Sequence, residues 1–286
     1  MNDFYEEYAL GIDLGTTYSC VSLFRNGTIE IIPNEISERT TPSVVTFLED
    51  GDIKAGEQTL NYEIKNPQNT VYSIKRLIGR EYDPKLEEEI KKENWPFKVE
   101  KIKGNSKPKI KIELENDIKY YYPEEISSIV LKKLLKSSEE YLQRKVDKAV
   151  ITVPHNFSIS QREATKQAAE MAGIKVLAIL SEPTAASLAY GLEKKLSKQA
   201  QESFRLSDNN YKIEKNILTF DLGGGTFDIS ILELSEKEEN IFNVKATSGD
   251  NYLGGYDFDN KLVDYCLEIF CKNNDINKNE ILTNKK

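Results

Sequence analysis

Apolar and polar residues alternate from Tyr8 to Leu14 and again from Tyr18 to Phe24, with Gly15 at the break, which predicts a β-hairpin. TIEIIP and SVVTFL carry the alternation on as a meander. From Asn66 to Trp95 the pattern changes: Val71, Ile74, Leu77 and Ile78 recur at helical spacing, followed by charge without a clean stripe. PFKVEKI, KIKIEL and IKYYYP alternate again, as a small antiparallel sheet would. Pro123 then opens a stretch in which Ile126, Val130 and Leu134 recur with charges opposite, the mark of a core-facing helix.

KAVITVP is β-branched and continuously apolar, as a strand covered on both faces should be. Ser160 and Glu163 have the spacing of a capping box for a helix through Ala172, and Gly173 suits its stop. The strand KVLAIL follows, and Pro183 marks the first turn of a helix through Leu192. Residues 194–216 are polar and aperiodic and read as a long surface loop. Order returns at ILTFDLGGGTFDISILEL, and a last helix is expected around Phe258 to Phe270.

A chain of 286 residues exceeds one ordinary core and suggests two subdomains. Its 39% hydrophobic and 30% charged residues suit a globular protein. The net charge of −8 disfavours nucleic acid and anionic membrane as partners, and neither is expected. The acidic start MNDFYEEYAL is unlike a secretory signal, and no apolar run reaches membrane-spanning length. Cys20, Cys266 and Cys271, an odd set without CxxC spacing, read as free thiols of a reducing compartment. His155, the one histidine, lies away from any cluster with metal-ligand spacing and reads as a loop residue.

One device occurs twice. LGIDLGTTYSCVSLF and LTFDLGGGTFDISIL each run from an apolar strand through Asp-Leu-Gly and small or hydroxylated residues into a second strand. Such a turn lets the backbone approach an anion without Cβ obstruction, and its N–H groups can cradle phosphate oxygens. Asp13 and Asp221 end the two leading strands. Carboxylates face phosphates only with a cation between them, and magnesium, which keeps most of its water, is the natural one. A single copy reads as a tight hairpin turn; two copies in matching contexts favour a metal-and-phosphate device. Neither GxxxxGK[ST] nor a strand-to-helix GxGxxG occurs, so P-loop and Rossmann chemistry are not suggested.

These residues resemble the nucleotide-binding domain of the seventy-kilodalton heat-shock chaperones, the DnaK-like family, within the wider actin and sugar-kinase fold. The resemblance runs through GIDLGTTYSCV, RTTPSVVTF, NPQNTVYSIKRLIGR, YYPEEISSIVL, AVITVP, SQREATKQAAEMAG, SEPTAASLAYGL, DLGGGTFDISIL and LGGYDFDNKLV, nearly the whole chain. It implies an α/β, actin-like ATPase (ribonuclease H-like) fold: two related lobes with mixed five-stranded-type sheets flanked by helices. Residues 1–193 would form the first lobe, with a smaller subdomain inserted roughly at 40–120. Residues 194–216 would be the surface loop and 217–286 the start of a second, incomplete lobe.

The resemblance also implies roles. ATP or ADP would lie between the lobes, with Mg2+ near Asp13 and Asp221 and K+ as a further cation. Gly15, Thr16, Thr17 and Tyr18, with Gly223, Gly224, Gly225 and Thr226, would hold phosphates. Lys75 would reach the γ-phosphate and place the attacking water; Glu182 and Asp228 would orient water and cations, and Thr226 would lie near the γ-phosphate. Without the surrounding motifs, Lys75 reads as an exposed helix lysine and Glu182 as a helix cap. Pro154 and Arg162 match a proline and an arginine of the interlobe relay. The expected partners are nucleotide, J-domain cochaperones and nucleotide exchange factors, with unfolded polypeptide only if a substrate domain exists elsewhere. The expected location is cytoplasmic, with the nucleus as a second compartment.

The sequence also departs from the family. The chain ends at CKNNDINKNEILTNKK, before the basic helix and second glycine loop that clasp adenine and ribose, so the nucleoside is expected to be held poorly and the second half to be under-covered. Asn251, Tyr252 and Tyr256 stand where the family has threonine, histidine and glutamate; His155, Asn156 and Ile159 replace alanine, tyrosine and aspartate. A partial ATP-hydrolysing switch of a chaperone is the leading expectation. The alternative is a catalytically inactive fragment that serves as an interaction surface for cochaperones. A sugar or glycerol kinase on the same fold ranks behind both, since it leaves RTTPSVVTF and SQREATKQAAEMAG unexplained.

Overall fold

Strands β1 (Leu10–Asp13) and β2 (Tyr18–Arg25) form the expected hairpin, and β3 (Thr28–Ile32) extends it. This is a computed structural model, and it describes residues 8–93, 95–190, 214–235, 241–278 and 281. Strand β4 (Thr41–Pro42) pairs with the start of β2. The SVVTFL segment does not continue the meander: β5 (Val45–Phe47) pairs instead with β6 (Ile53–Ala55) and, past the short helix α1 (Tyr62–Lys65), with β7 (Thr70–Val71). Val45, Thr46 and Phe47 are all buried, so this strand is covered on both faces and has no solvent face to share with a meander.

The helix expected through Val71, Ile74, Leu77 and Ile78 is also corrected. Val71 lies in β7, and Ile74–Arg76 makes a single 3-10 turn. The apolar spacing there reflects a segment buried on every side, and Ser73, in the left-handed region at φ 53°, prevents a regular helix from forming across it. Helix α2 comes later, at Pro84–Lys92, with the Asp83 carboxylate accepting from the Leu86 N–H at 2.7 Å. Strands β8 (Lys98–Lys101), β9 (Pro108–Leu114) and β10 (Asp117–Tyr121) make the expected antiparallel sheet.

Helix α3 (Pro123–Leu142) buries Ile126, Val130, Leu131 and Leu134, as its stripe predicts. Strand β11 (Lys148–Val153) leads to helix α4 (Ile159–Met171), strand β12 (Lys175–Ser181) and helix α5, described over residues 182–190. β11 runs parallel to β1, and β12 parallel to β11, giving the order β12-β11-β1-β2-β3 with β4 attached to β2. The capping box of α4 is Ser158 with Gln161, not Ser160 with Glu163. SISQRE contains both spacings, and the earlier pair meets the chain where it leaves the buried Phe157, satisfying the first free N–H groups there. Gly173, at φ 87°, ends the helix as expected. One apolar core joins α3, α4 and the sheet through residues such as Ile12, Leu23, Leu131, Ile151 and Ala168.

Strands β13 (Glu214–Leu222), β14 (Phe227–Ser235) and β15 (Ile241–Asp250) form a separate antiparallel sheet, followed by helix α6 (Gly255–Asn274). The expected surface loop is shortened, because Glu214 to Asn216 belong to β13; its residues 194–213, and the end of the Pro183 helix at 191–192, lie outside the described residues. Helix α6 is longer than expected at both ends, and β15, in polar sequence without clean alternation, was not legible. Among the described residues of these four elements Leu232 is the one buried apolar side chain; Leu218 and Phe220 are 65% and 64% exposed. Burial therefore places most of the stabilising apolar contact in the first half. Among the described residues, no helix is long and apolar enough to cross a membrane, and all three cysteines are free.

Candidate functional site

The two repeated turns meet face to face. In the first hairpin Asp13 pairs in register with Cys20, and in the second Asp221 pairs with Asp228, so the turns Gly15 to Ser19 and Gly223 to Phe227 occupy equivalent places. A Cβ on Gly224 would lie 2.0 Å from Thr17 Oγ1, and one on Gly225 would lie 2.5 Å from Thr16 Cγ2, so only glycine permits this approach. Gly15 is closed in its own turn: a Cβ there would meet the Tyr18 carbonyl at 1.9 Å. The first turn of α6 docks on the second loop, with Gly255 N–H donating to Gly223 O at 3.0 Å and Tyr256 N–H to Gly224 O at 2.8 Å.

Between the turns lies a cavity of about 340 Å³ lined by Asp13, Gly15, Thr16, Thr17, Tyr18, Lys75, Glu182, Asp221, Gly223, Gly224 and Thr226, with Gly255, Tyr256 and Asp259 of α6. Of the residues singled out by sequence, Gly225 and Asp228 do not line it. Gly225 turns its carbonyl to Arg76, and Asp228 sits buried at the start of β14, accepting from the His155 N–H at 2.9 Å. Asp13 accepts from the Thr152 hydroxyl at 3.0 Å, which fixes its carboxylate at the end of β1. Pro154 and Arg162 form a cluster outside the cavity, where the Arg162 guanidinium donates to the carbonyls of His155, Phe157 and Pro154. The His155 N–H connects that cluster to Asp228.

Lys75 and Glu182 form the centre of charge. The side chain of Lys75 is 7% exposed, and its Nζ lies 2.6 Å from Glu182 Oε1. Lys75 is therefore not an exposed helix lysine. Burial alone would depress its ammonium, but Glu182, Asp13 and Asp228 outweigh burial and hold it above the ordinary lysine value. Burial pushes Glu182 up to about 7, Lys75 opposing and Asp13 adding to it. Asp221 is raised first by burial and then by Asp13, and Asp228 first by burial with the His155 N–H opposing. A cluster of acids raised in this way, beside amide donors, is poised for a cation or an added positive charge.

The raised pKa of Glu182 makes a testable contribution to stability. The folded state holds this proton more tightly than the unfolded chain does, so the contribution is complete in acid and is lost as pH rises through about 7. Glu182→Gln has no proton to lose. Its unfolding free energy should fall less than that of the parent between about pH 5 and about pH 8, by roughly 2–3 kcal/mol at most. Urea denaturation at both pH values measures this, and equal slopes in the two proteins would mean that Glu182 is ionised throughout.

Against proteins of known family, residues 9–285 match the model of the Hsp70 protein family. The chain belongs to the Hsp70 family. It is 47% identical over 279 residues to the heat shock 70 kDa protein of Emericella nidulans, 97% of this chain and 39% of that protein. It is 49% identical over 263 residues to heat shock 70 kDa protein 2 of Paracoccidioides lutzii, 92% of this chain and 37% of that protein. It is 46% identical over 279 residues to the heat shock 70 kDa protein of Neurospora crassa, again 97% and 39%. The chain thus spans less than two fifths of the length of these relatives. Its mixed sheet with flanking helices is the actin-like ATPase architecture of the Hsp70 family.

Two polar residues far apart in this Hsp70-family chain, Asn156 and Asn251, touch. Asn251 Nδ2 donates to the Asn156 carbonyl at 3.4 Å, and the His155 ring shares a 2.6 Å hydrogen bond with Thr247 of β15. His155 is thus a loop residue, as the sequence suggests, but one that ties the two halves together. Tyr252 and Tyr256 stack over Arg80 and Arg76, with the guanidinium carbons 5.3 and 5.4 Å from the ring centres. Sequence reasoning also missed Arg76 itself. Its side chain is 3% exposed, pairs with Glu93, and reaches Asp257 of α6 at 2.5 Å and Gly225 O at 3.4 Å. The only local signal is a second basic residue directly after Lys75.

Proposed function

We propose that this chain is a nucleotide-binding, ATP-hydrolysing switch segment of a molecular chaperone, the whole protein assisting the folding of other polypeptides. The observation that carries this reading is the cavity between two opposed glycine-rich turns, with the buried Lys75 and Glu182 pair inside it. The proposed division is a first lobe over residues 1–193 with a subdomain near 40–120, a connecting segment at 194–213, and a second lobe beginning with β13 at Glu214. The backbone of Gly15, Thr16, Thr17 and Tyr18 and of Gly223, Gly224, Gly225 and Thr226 would cradle the phosphates. The cytoplasm, with the nucleus, is the proposed location.

The donor set fits magnesium. Asp13 and Asp221 are hard oxygen ligands at the rim, and the buried Asp228 Oδ2 has no hydrogen-bond partner. Bound there, the ion would neutralise phosphate charge, with potassium as a further cation.

Hydrolysis would be in-line attack by water on the γ-phosphorus, forming the new P–O bond as the bond to the β-phosphate oxygen breaks, and releasing ADP and phosphate. The Lys75 ammonium would hold the water and the developing negative charge. Glu182, its pKa pushed up to about 7 by burial, and Asp228 would orient water and cations. Thr226, 8% exposed at the end of the second turn, would contact the γ-phosphate. Pro154 and Arg162, tied to Asp228 through His155, would relay the nucleotide state to the interface between halves, where J-domain cochaperones and nucleotide exchange factors read it.

Calorimetric titration of the folded chain with ATP and magnesium tests this. Micromolar or tighter binding of one nucleotide per chain is the expected result. No binding by the folded chain would favour the non-enzymatic interaction surface instead.

A further inference from the structure

The three glycine carbonyls of the second turn are each held from outside the turn. Gly223 O accepts from the Gly255 N–H at 3.0 Å, Gly224 O from the Tyr256 N–H at 2.8 Å, and Gly225 O from the Arg76 guanidinium at 3.4 Å. A Cβ on Gly254 would lie 2.4 Å from Gly225 N and 2.5 Å from Gly224 O, so α6 starts flat against the peptide that joins those two glycines. The first turn carries the same device once. Thr17 O accepts from the Ser43 N–H at 2.8 Å, and the Ser43 hydroxyl is bonded to that of Ser19 at 2.9 Å, both residues being buried. The carbonyl of a trans peptide and the N–H that follows it point in opposite directions. A donor that grips the carbonyl therefore aims the next amide away from itself. The amides so aimed are those of Gly224, Gly225 and Thr226 in the second turn and of Tyr18 in the first.

We propose that Gly255, Tyr256 and Ser43, through their backbone N–H groups, and Arg76, through its guanidinium, are positioning residues that turn these four amides toward a phosphate lying between the turns. The inference rests on the reading of the glycine turns as a phosphate cradle and adds the groups that hold its amides in place before phosphate arrives. Such groups are needed because a run of glycines has no Cβ to favour one peptide orientation over its flip, so a free glycine turn would lose that freedom only on binding. Gripping the carbonyls removes the freedom beforehand. It also polarises each peptide, which makes the N–H on its other side a stronger donor to an anion. The first turn, with threonines in place of glycines, has less freedom to lose, and one donor grips it where three grip the second.

Gly255 separates this role from simple packing. It is the first residue of α6, where proline is tolerated, and Gly254 before it is extended at φ −164° and ψ −175°, as the residue before a proline prefers. Gly255→Pro thus deletes one gripping N–H while suiting the helix start. Gly255→Ala keeps the N–H, and its Cβ would have its nearest neighbours at 3.9 Å, an ordinary contact. Titrated into the full chain, magnesium tripolyphosphate should bind Gly255→Pro about tenfold or more weakly than the parent, the scale of one hydrogen bond to a charged group. Gly255→Ala, with the N–H in place, should recover the parent affinity. In amide proton–nitrogen correlation spectra of the parent, saturating magnesium tripolyphosphate should move the signals of Gly224, Gly225 and Thr226. Gly255→Pro should displace the Gly224 signal before any ligand is added. Equal affinity of the proline and alanine variants, or second-turn amides of the parent that stay in place while tripolyphosphate binds, overturns the positioning role alone. Failure of tripolyphosphate to bind the folded parent overturns the cradle, and this inference with it.

Discussion

Replacing Lys75 with alanine should reduce single-turnover ATP hydrolysis by about a hundredfold or more while changing ATP affinity by less than about tenfold. The expectation comes from where the ammonium lies. It is buried, 2.6 Å from Glu182, and lines the cavity between the two turns. If backbone amides hold the ground-state phosphates as proposed, binding would survive, but the charge that develops at the γ-phosphate would lose a nearby cation. The same change leaves Glu182 without the neighbour that opposes its protonation. Rapid-quench measurement with bound ATP separates the two effects, and turnover within threefold of the parent would remove Lys75 from the chemistry.

The second large effect should come from Arg76→Met, expected to cost about 3–5 kcal/mol of stability. Glu93 and Asp257 share Arg76, and removing it strands Glu93, already raised by burial, and leaves Asp257 with the Gly254 N–H alone. The loss should exceed that of an exposed pair such as Lys91 with Glu87, where solvent screens the charges. Urea unfolding measures it; a cost below about 1 kcal/mol would show that the network contributes little. Adding Glu93→Leu should recover part of the loss, because an apolar residue in place of a stranded carboxylate removes the uncompensated charge.

What the sequence made legible was local. The two Asp-Leu-Gly turns, the stripe of α3 and the stop at Gly173 each depend on residues a few positions apart, and pattern reasoning reaches that far. The overlapping boxes in SISQRE mark its limit, since two residues of offset decide the cap and both spacings satisfy the rule. Val71 to Ile78 shows a different limit: a segment buried on all sides has apolar residues at helical intervals without being a helix. The ties between halves were not legible. Arg76 meets Asp257, and His155 meets Thr247, across separations that carry no period. For the same reason Asn156 and Asn251 look unrelated along the chain and turn out to touch.

The matched register of the hairpins puts Cys20 where its counterpart carries Asp228. Were the two hairpins alike at this position, acids would stand at both, and the charge behind the two turns would be nearly even. A thiol at Cys20, pushed above its ordinary range by burial and by Asp13, leaves that corner neutral. The negative field therefore leans toward the second hairpin. Broken symmetry of this kind gives an otherwise twofold arrangement of hairpins a polarity.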